Sequence, residues 1–242
     1  MKKMSLVLSL LILLGALSAV TFPKLTDRVV DDANIFRGAQ VKELTSLLIG
    51  LEKDSGIQGV VVTVKSLQGY DVADYTVRLA EEWKIGSKQK DNGLILLIAP
   101  NERDVRIEVG YGLEHKLTDG VSGYIIRNSI IPYFKSGNYY GGAKEGLITV
   151  NNVMTGKTTI SQEDIRESQQ AENEGSSIGY LIFLIIIAFL FRGRLFPLLL
   201  LSSMGGRGGR GGSGGFGGFG GGGGGFSGGG GGFGGGGASG KW

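Results

Sequence analysis

The sequence has no cysteine among its 242 residues and a single histidine, His115. The missing thiols exclude a disulfide framework, a thiol nucleophile, a zinc–thiolate site and a cysteine-linked lipid anchor. Without cysteine, and with one histidine in a predicted loop, the sequence offers no acyl-transfer triad. A folded domain in this chain must be held by packing, or by a metal bound through oxygen ligands.

Acidic residues are absent from both ends of the chain. All 22 Asp and Glu lie within residues 21–174, which carry a net charge of −4, whereas residues 1–20 and 175–242 carry only basic charges. The sequence pI near 9.0 therefore describes the ends and not the middle. It does not indicate a nucleic-acid-binding domain, and no nucleic-acid partner is expected.

Long apolar runs are few, and two of them indicate membrane segments. Residues 1–19 combine Lys2 and Lys3 with a short apolar core and small residues at 16–19, which predicts a signal peptide. An uncleaved anchor helix is the alternative. Residues 178–200 are predicted as a transmembrane region, because residues 178–191 carry no charge.

The basic residues after this apolar run suggest an orientation. Arg192 and Arg194 follow residues 178–191, and the positive-inside rule places them in the cytoplasm. We therefore expect a single-pass protein of the cell membrane, with the bilayer as a partner, an extracytoplasmic domain and a cytoplasmic tail. Whether residues 195–201 lie on the membrane or return through it as a hairpin stays open.

The segment between the two apolar runs has the periodicities of a mixed α/β domain. Apolar residues recur at helical spacing in four stretches, residues 43–55, 71–84, 118–134 and 139–154. Strand patterns occupy residues 57–64, 93–99 and 104–109. The order predicts a three-layer α/β/α sandwich with a small mixed sheet, in which a parallel pair is followed by an antiparallel third strand.

Within this domain an ordered set of short motifs resembles a known family. The motifs are Val29-Val30-Asp31, Trp83-Lys84-Ile85-Gly86, Asp91-Asn92-Gly93, residues 106–114, Leu117-Thr118-Asp119, and Pro132-Tyr133-Phe134 with Gly137-Asn138-Tyr139. The set resembles the TPM domain of YgcG-like bacterial membrane proteins. The resemblance covers residues 26–156 and leaves residues 157–177 as a linker.

Four acidic residues are the candidates for chemistry: Asp31, Asp91, Glu108 and Asp119. We expect their positions in a sandwich to converge at one sheet edge, where several carboxylates form a site for a hard cation. The resemblance also implies metal binding, with Ca²⁺ or Mg²⁺ as the expected cofactor. Each residue has a structural alternative, since Asp31 and Asp91 suit turns, Asp119 suits a helix cap and Glu108 suits a pair with Arg106.

The glycine-rich tail is predicted to be disordered over residues 201–242. From residue 205 onward, 26 of 38 residues are glycine, and such a segment buries too little apolar surface to offset its chain entropy. Four phenylalanines and Trp242 are spaced along it.

Two functions follow from these observations and from the resemblance. The first is an accessory or interaction module that binds an unidentified membrane protein outside the cytoplasm. The second, implied by the resemblance alone, is a metal-assisted acid phosphatase. The absence of a dedicated nucleophile motif favours the first.

Overall fold

The structure is a computed structural model and describes residues 20–170, 183–184 and 232–242. The helices are α1 (Gly38–Ser55), α2 (Val72–Trp83), α3 (Asp119–Ile125), α4 (Ile131–Lys135) and α5 (Tyr139–Met154). The strands are β1 (Val29–Asp31), β2 (Gln58–Thr63), β3 (Gly93–Ala99), β4 (Asp104–Gly110) and β5 (Phe233–Lys241). Together they confirm the predicted mixed α/β fold.

The five strands form one sheet in the order β1-β2-β3-β4-β5. Strands β1, β2 and β3 run parallel, while β3–β4 and β4–β5 are antiparallel pairs. The predicted parallel pair and antiparallel third strand are therefore confirmed as β2, β3 and β4. The two outer strands, β1 and β5, were not predicted as strands.

The sheet is buried on both faces, which explains the continuous apolar run of β3. Alternating residues of β2 and β3 enter two separate clusters, because successive side chains of a strand point to opposite faces. One cluster joins the sheet to α1, α3, α4 and α5 through residues such as Leu48 and Phe134. The other joins it to α2 through Tyr75 and Leu79.

The predicted helix over residues 118–134 is interrupted. Thr118 caps α3 by accepting a hydrogen bond from the Val121 N–H at 3.3 Å, as the sequence suggested. A π-helical turn then covers Ile126–Ile130 before α4 begins. Pro132 lies in the first turn of α4, and because proline has no N–H it cannot continue the hydrogen-bond ladder of the preceding helix.

The prediction of a disordered tail is wrong for its last residues. Phe233–Lys241 form a nine-residue strand along β4, and they belong to the same compact unit as the chain up to Ile165. The predicted linker also contains ordered chain, since residues 162–170 are helical and Ile165 is buried in the core. Glycine has a weak intrinsic preference for strands. The segment forms a strand because pairing with the existing edge of β4 supplies its backbone hydrogen bonds.

The predicted membrane segments lie almost wholly outside the described residues. This holds for the signal peptide at 1–19 and for residues 178–200 except 183–184. Within residues 20–170, 183–184 and 232–242, no helix is both long and apolar enough to cross a bilayer.

Candidate functional site

The outer edge of β4 binds a segment that lies more than a hundred residues further along the chain. Asp104 pairs with Lys241, Ile107 with Ala238, and Gly110 with Phe233, with a register shift between Glu108 and Gly110. An unpaired strand edge is a ready template for another strand. We call this edge, together with Asp91, Tyr111, Asp119 and Phe134, the β4 edge site.

Two of the predicted acidic residues bind the backbone of β5 and its approach. Asp91 Oδ1 accepts the Gly232 N–H at 2.6 Å, and Asp119 Oδ1 accepts the Gly237 N–H at 2.8 Å. Gly232 in turn accepts a hydrogen bond from the Tyr111 N–H at 3.2 Å. Hydrogen bonds between backbone N–H groups and carboxylates are among the stronger ones in proteins, so these two residues act as fixed acceptors for an incoming backbone.

The Arg106 side chain holds the middle of β5. Its Nη2 donates to the Gly235 carbonyl oxygen and its Nη1 to the Ser239 hydroxyl, both at 3.0 Å. Its Nε donates to Glu108 Oε2 at 2.6 Å. The guanidinium is thus committed to three partners and is not open to a phosphoryl group in this arrangement.

Glu108 is fully buried beside Arg106, with 0% of its surface exposed. Burial, and to a smaller extent the nearby Asp119, raise the pKa of its carboxyl group, while Arg106 and the Gly235 backbone lower it, and together these effects bring the pKa to about 7. Its Oε1 has no hydrogen-bond partner within the described part of the chain. The site therefore contains one carboxyl group whose charge changes close to neutral pH.

Aromatic residues anchor both ends of β5. The Trp242 ring packs edge-to-face against Phe134 at 4.8 Å and against Tyr139 at 5.8 Å between ring centroids. At the other end the Phe233 ring lies over Gly93, where any side chain would overlap it. Such edge-to-face pairs add to the gain from burying apolar surface, so the strand is fixed by its ends as well as by its ladder.

Several glycines of β5 are in close contact with the domain. Gly237 has a φ of 120°, and a Cβ there would overlap the carbonyl oxygen of Ile107. A Cβ at Gly240 would overlap two isoleucine side chains, and at Gly234 and Gly236 it would push aside the ends of the Tyr111 and Glu114 side chains. The contact surface therefore favours glycine in this segment, most strictly at Gly237.

The loop before β3 is tied to the end of β4 by close backbone contact. Asp91 has a φ of 45°, and its carbonyl oxygen accepts the Gly112 N–H at 3.0 Å. Side chains at Gly110 and Gly112 would overlap the carbonyl oxygens of Asp91 and Lys90. The Gly110-Tyr111-Gly112 motif therefore positions the Asp91 carboxylate beside β5, while Tyr111 stays 55% exposed and rests against Gly232 and Gly234.

The structure brings Asp91, Glu108 and Asp119 to the β4 edge site but leaves Asp31 elsewhere. Asp31 ends β1 and pairs with Thr63 at the far end of β2, where its carboxylate accepts the Thr63 hydroxyl and the N–H groups of Ile35 and Phe36. The expectation of a common edge is corrected for Asp31. The parallel strands align the C-terminal ends of β1, β2 and β3, whereas Asp91 precedes the N-terminal end of β3, next to the C-terminal end of β4. Asp31 here stabilises the turn into α1.

The carboxylates do not form the oxygen cage expected for Ca²⁺ or Mg²⁺. Across residues 20–170, 183–184 and 232–242, no three His, Cys, Asp or Glu side chains are grouped to hold an ion. Asp91 Oδ1 is bound to the Gly232 N–H, Asp119 Oδ1 to the Gly237 N–H, and Glu108 is paired with Arg106. With β5 docked, part of the oxygen set is occupied by these partners, and a cation site there stays a prediction.

Sequence reasoning missed the residues that bind β5 most specifically. The sequence presents Arg106 as a neighbour of the acidic residues and Phe134 as part of a motif. It presents Phe233 and Trp242 as aromatics spaced along a glycine-rich tail. The available signal was the end of the tail itself, because Ala238, Ser239, Lys241 and Trp242 interrupt the glycine run within a few residues.

Comparison with known proteins identifies the fold around this site. The family model of the TPM domain matches residues 29–153. The chain belongs to the TPM domain family. The match contains β1 to β4 and nearly all of α5 but ends well before β5, so the β4 edge site combines a TPM domain with a segment outside the matched region.

Two relatives place this TPM domain among bacterial proteins. The UPF0603 protein YdjH of Bacillus subtilis (strain 168) is 30% identical over 128 residues, covering 53% of this chain and 48% of that protein. The chain thus spans about half the length of this curated relative. The solution NMR structure of the N-terminal domain of a P. gingivalis protein is 36% identical with a TM-score of 0.51, covering 55% of this chain and 84% of that one.

Proposed function

We propose that this TPM-domain protein is a membrane-anchored, extracytoplasmic interaction module that binds extended segments of partner proteins by adding them as strands to β4. The observation that carries the proposal is strand β5, a distant segment of the same chain that pairs with the outer edge of β4. Main-chain hydrogen bonds provide affinity in this mode of recognition, and the flanking side chains provide specificity. A role in assisting a membrane complex is the accessory function expected from the sequence.

The position of the charged groups supports a binding role over a catalytic one. Asp91, Asp119 and Arg106 direct their polar atoms at the backbone and hydroxyl of β5. A catalytic site needs groups that converge on the position of a reacting atom. These three side chains instead point at different atoms along the docked segment. The phosphatase alternative therefore requires β5 to leave and the same residues to regroup.

The docked strand also bears on the proposed membrane topology. Two strands of one sheet cannot lie on opposite sides of a bilayer, so the pairing of β4 with β5 supports a common side for both. We therefore place residues 232–242 outside the cytoplasm with the domain, replacing the cytoplasmic tail expected from the sequence. This placement favours the open alternative in which residues 195–201 return through the membrane as a hairpin.

Cysteine labelling in intact cells tests this topology, because the chain has no cysteine of its own. Lys157→Cys reports on the chain before the proposed anchor, and Lys241→Cys reports on the chain after it. A membrane-impermeant maleimide is expected to label both variants before lysis. Labelling of Lys157→Cys alone would refute the common side.

Crosslinking tests the interaction role. The intact chain and a variant that stops after Gly231 are expressed at equal levels, crosslinked in cells and purified under denaturing conditions. The variant has an unpaired β4 edge, so we expect it to capture more of any membrane protein that adds a strand there. Equal capture by both chains, or capture of no membrane protein by either, would contradict the proposal.

A further inference from the structure

Among the described residues, the contacts that hold β5 are made by the folded domain. All its described hydrogen bonds and ring contacts go to residues between Asp91 and Tyr139. A second copy of the chain carries the same segment and can offer the same atoms. Exchange of an identical element between copies is a low-cost route to assembly.

One stretch of the glycine-rich tail matches the site better than the others. The docked strand has an aromatic residue followed by glycine one, three, four and seven positions later, as at Phe233 and its successors. The fourth position faces the Ile107 carbonyl oxygen, whereas the first and third face the flexible ends of Tyr111 and Glu114. Starting from Phe216, the third position is Phe219, and starting from Phe219, the seventh is Phe226. Starting from Phe226, the first position is Ser227, whose side chain would displace Tyr111. Only the stretch that begins at Phe233 has this pattern at every position.

Side-chain contacts add to this selectivity. Ala238 packs into the core, and the Ser239 hydroxyl accepts from Arg106. Lys241 Nζ reaches Asp104 Oδ2 at 2.9 Å, and Trp242 closes the far end. The acceptable ligand is therefore a glycine-rich extended peptide with phenylalanine and tryptophan nine positions apart.

We propose that the β4 edge site is a glycine-selective receptor for the Phe233–Trp242 segment of a second copy of this chain. The inference rests on the proposed function and names the partner of the same site. Two copies that exchange β5 pair their TPM domains with no contact beyond those already described. The strand seen on β4 is then the ligand in its intramolecular form.

Peptide binding tests the selectivity. The full chain that stops after Gly231, in detergent micelles, is titrated against a fluorescent peptide of residues 232–242. The matched control exchanges Gly237 with Ala238 and so keeps composition, length and charge. It places a methyl group where the Ile107 carbonyl oxygen lies and where φ is 120°. Because of this backbone strain we expect the control peptide to bind about 5-fold to 150-fold more weakly.

Each outcome of the titration has a defined meaning. Tight binding of the native peptide alone supports the receptor. Equal binding of both peptides overturns the selectivity but leaves strand addition standing, and binding of neither overturns both proposals. Because the shortened chain can fail to fold, the intact chain carrying Gly237→Ala is measured beside it. Its weakened internal strand is expected to admit more native peptide than the unaltered chain, and no increase would count against the receptor.

A disulfide distinguishes a second copy from the same copy. Asp104 and Lys241 are ladder partners, and paired strand residues lie about 4.5–5.5 Å apart between Cα atoms, within the range a disulfide needs. Mixed intact chains carrying Asp104→Cys or Lys241→Cys alone are expected to form a crosslinked dimer upon mild oxidation. If the mixture stays monomeric while a chain with both substitutions closes internally, the second-copy proposal is wrong and the interaction function stands.

Discussion

Removal of the Trp242 ring is expected to release β5 from β4. The ring makes two edge-to-face contacts, with Phe134 at 4.8 Å and Tyr139 at 5.8 Å. Each such pair is worth about 0.5–1.5 kcal/mol beyond the burial of the ring, and burial of a large apolar side chain adds about 1.5–3 kcal/mol. Because Trp242 is only partly buried, we expect Trp242→Ala to cost about 2–4 kcal/mol of docking free energy. This corresponds to roughly 30-fold to 1000-fold in the docking equilibrium.

Hydrogen exchange followed by mass spectrometry measures this release on the intact chain. A peptide spanning residues 104–110 reports the protection of the β4 backbone, and a peptide from α1 reports the rest of the fold. Trp242→Ala is expected to speed exchange in β4 and leave α1 unchanged.

Lys241→Gln is the matched control on the neighbouring residue. The Lys241 side chain is 74% exposed and forms an ion pair with Asp104, and exposed pairs contribute at most about 1 kcal/mol. Its effect on β4 exchange should be much smaller than that of Trp242→Ala. If β4 stays as protected in Trp242→Ala as in the unaltered chain, the ring contacts do not hold the strand and the reasoning fails.

Three further predictions concern the charged groups of the site. The raised pKa of Glu108 means that the docked state binds a proton more tightly, so docking should be strongest below pH 4.5 and weaken as the pH rises through about 7. Carboxyl NMR should find the pKa of Glu108 nearer 4.5 in the chain that stops after Gly231. An unchanged pKa would show that β5 does not cause the shift. Ca²⁺ or Mg²⁺ should bind only in competition with the docked segment, because Asp91 and Asp119 accept the N–H groups of Gly232 and Gly237. Cation binding that leaves hydrogen exchange in β4 unaltered would contradict this competition. Purified chain and its Asp91→Ala variant should hydrolyse phosphomonoesters equally and at background rates, and a rate lost only in the variant would favour the phosphatase alternative.

The carboxylates show how far position in the sequence predicts which residues lie together. Asp91, Glu108 and Asp119 were found from their positions at element ends, and the structure brings them to one site. Asp31 occupies a similar position in the sequence, yet strand direction sends it to the opposite end of the sheet. Sequence position alone does not give that direction for a three-residue strand such as β1.

The sequence by itself determined the central elements of this protein. The helical periodicity of α1, α2 and α5 and the apolar runs of β2 and β3 reflect side chains that must be buried, and burial leaves a period that can be recognised. The ordered motifs also determined the family. These features are local, because each depends on residues only a few positions apart.

Only the tertiary structure decided the fate of the glycine-rich tail. Glycine has no side chain to carry a strand period and a low intrinsic preference for strands, so Phe233–Lys241 appear disordered when considered alone. They become a strand because β4 offers an unpaired edge, Asp91 and Asp119 accept backbone N–H groups, and the close contact at Gly237 suits a residue without a side chain. These partners lie more than a hundred residues away in sequence, and no local pattern encodes a contact of that range.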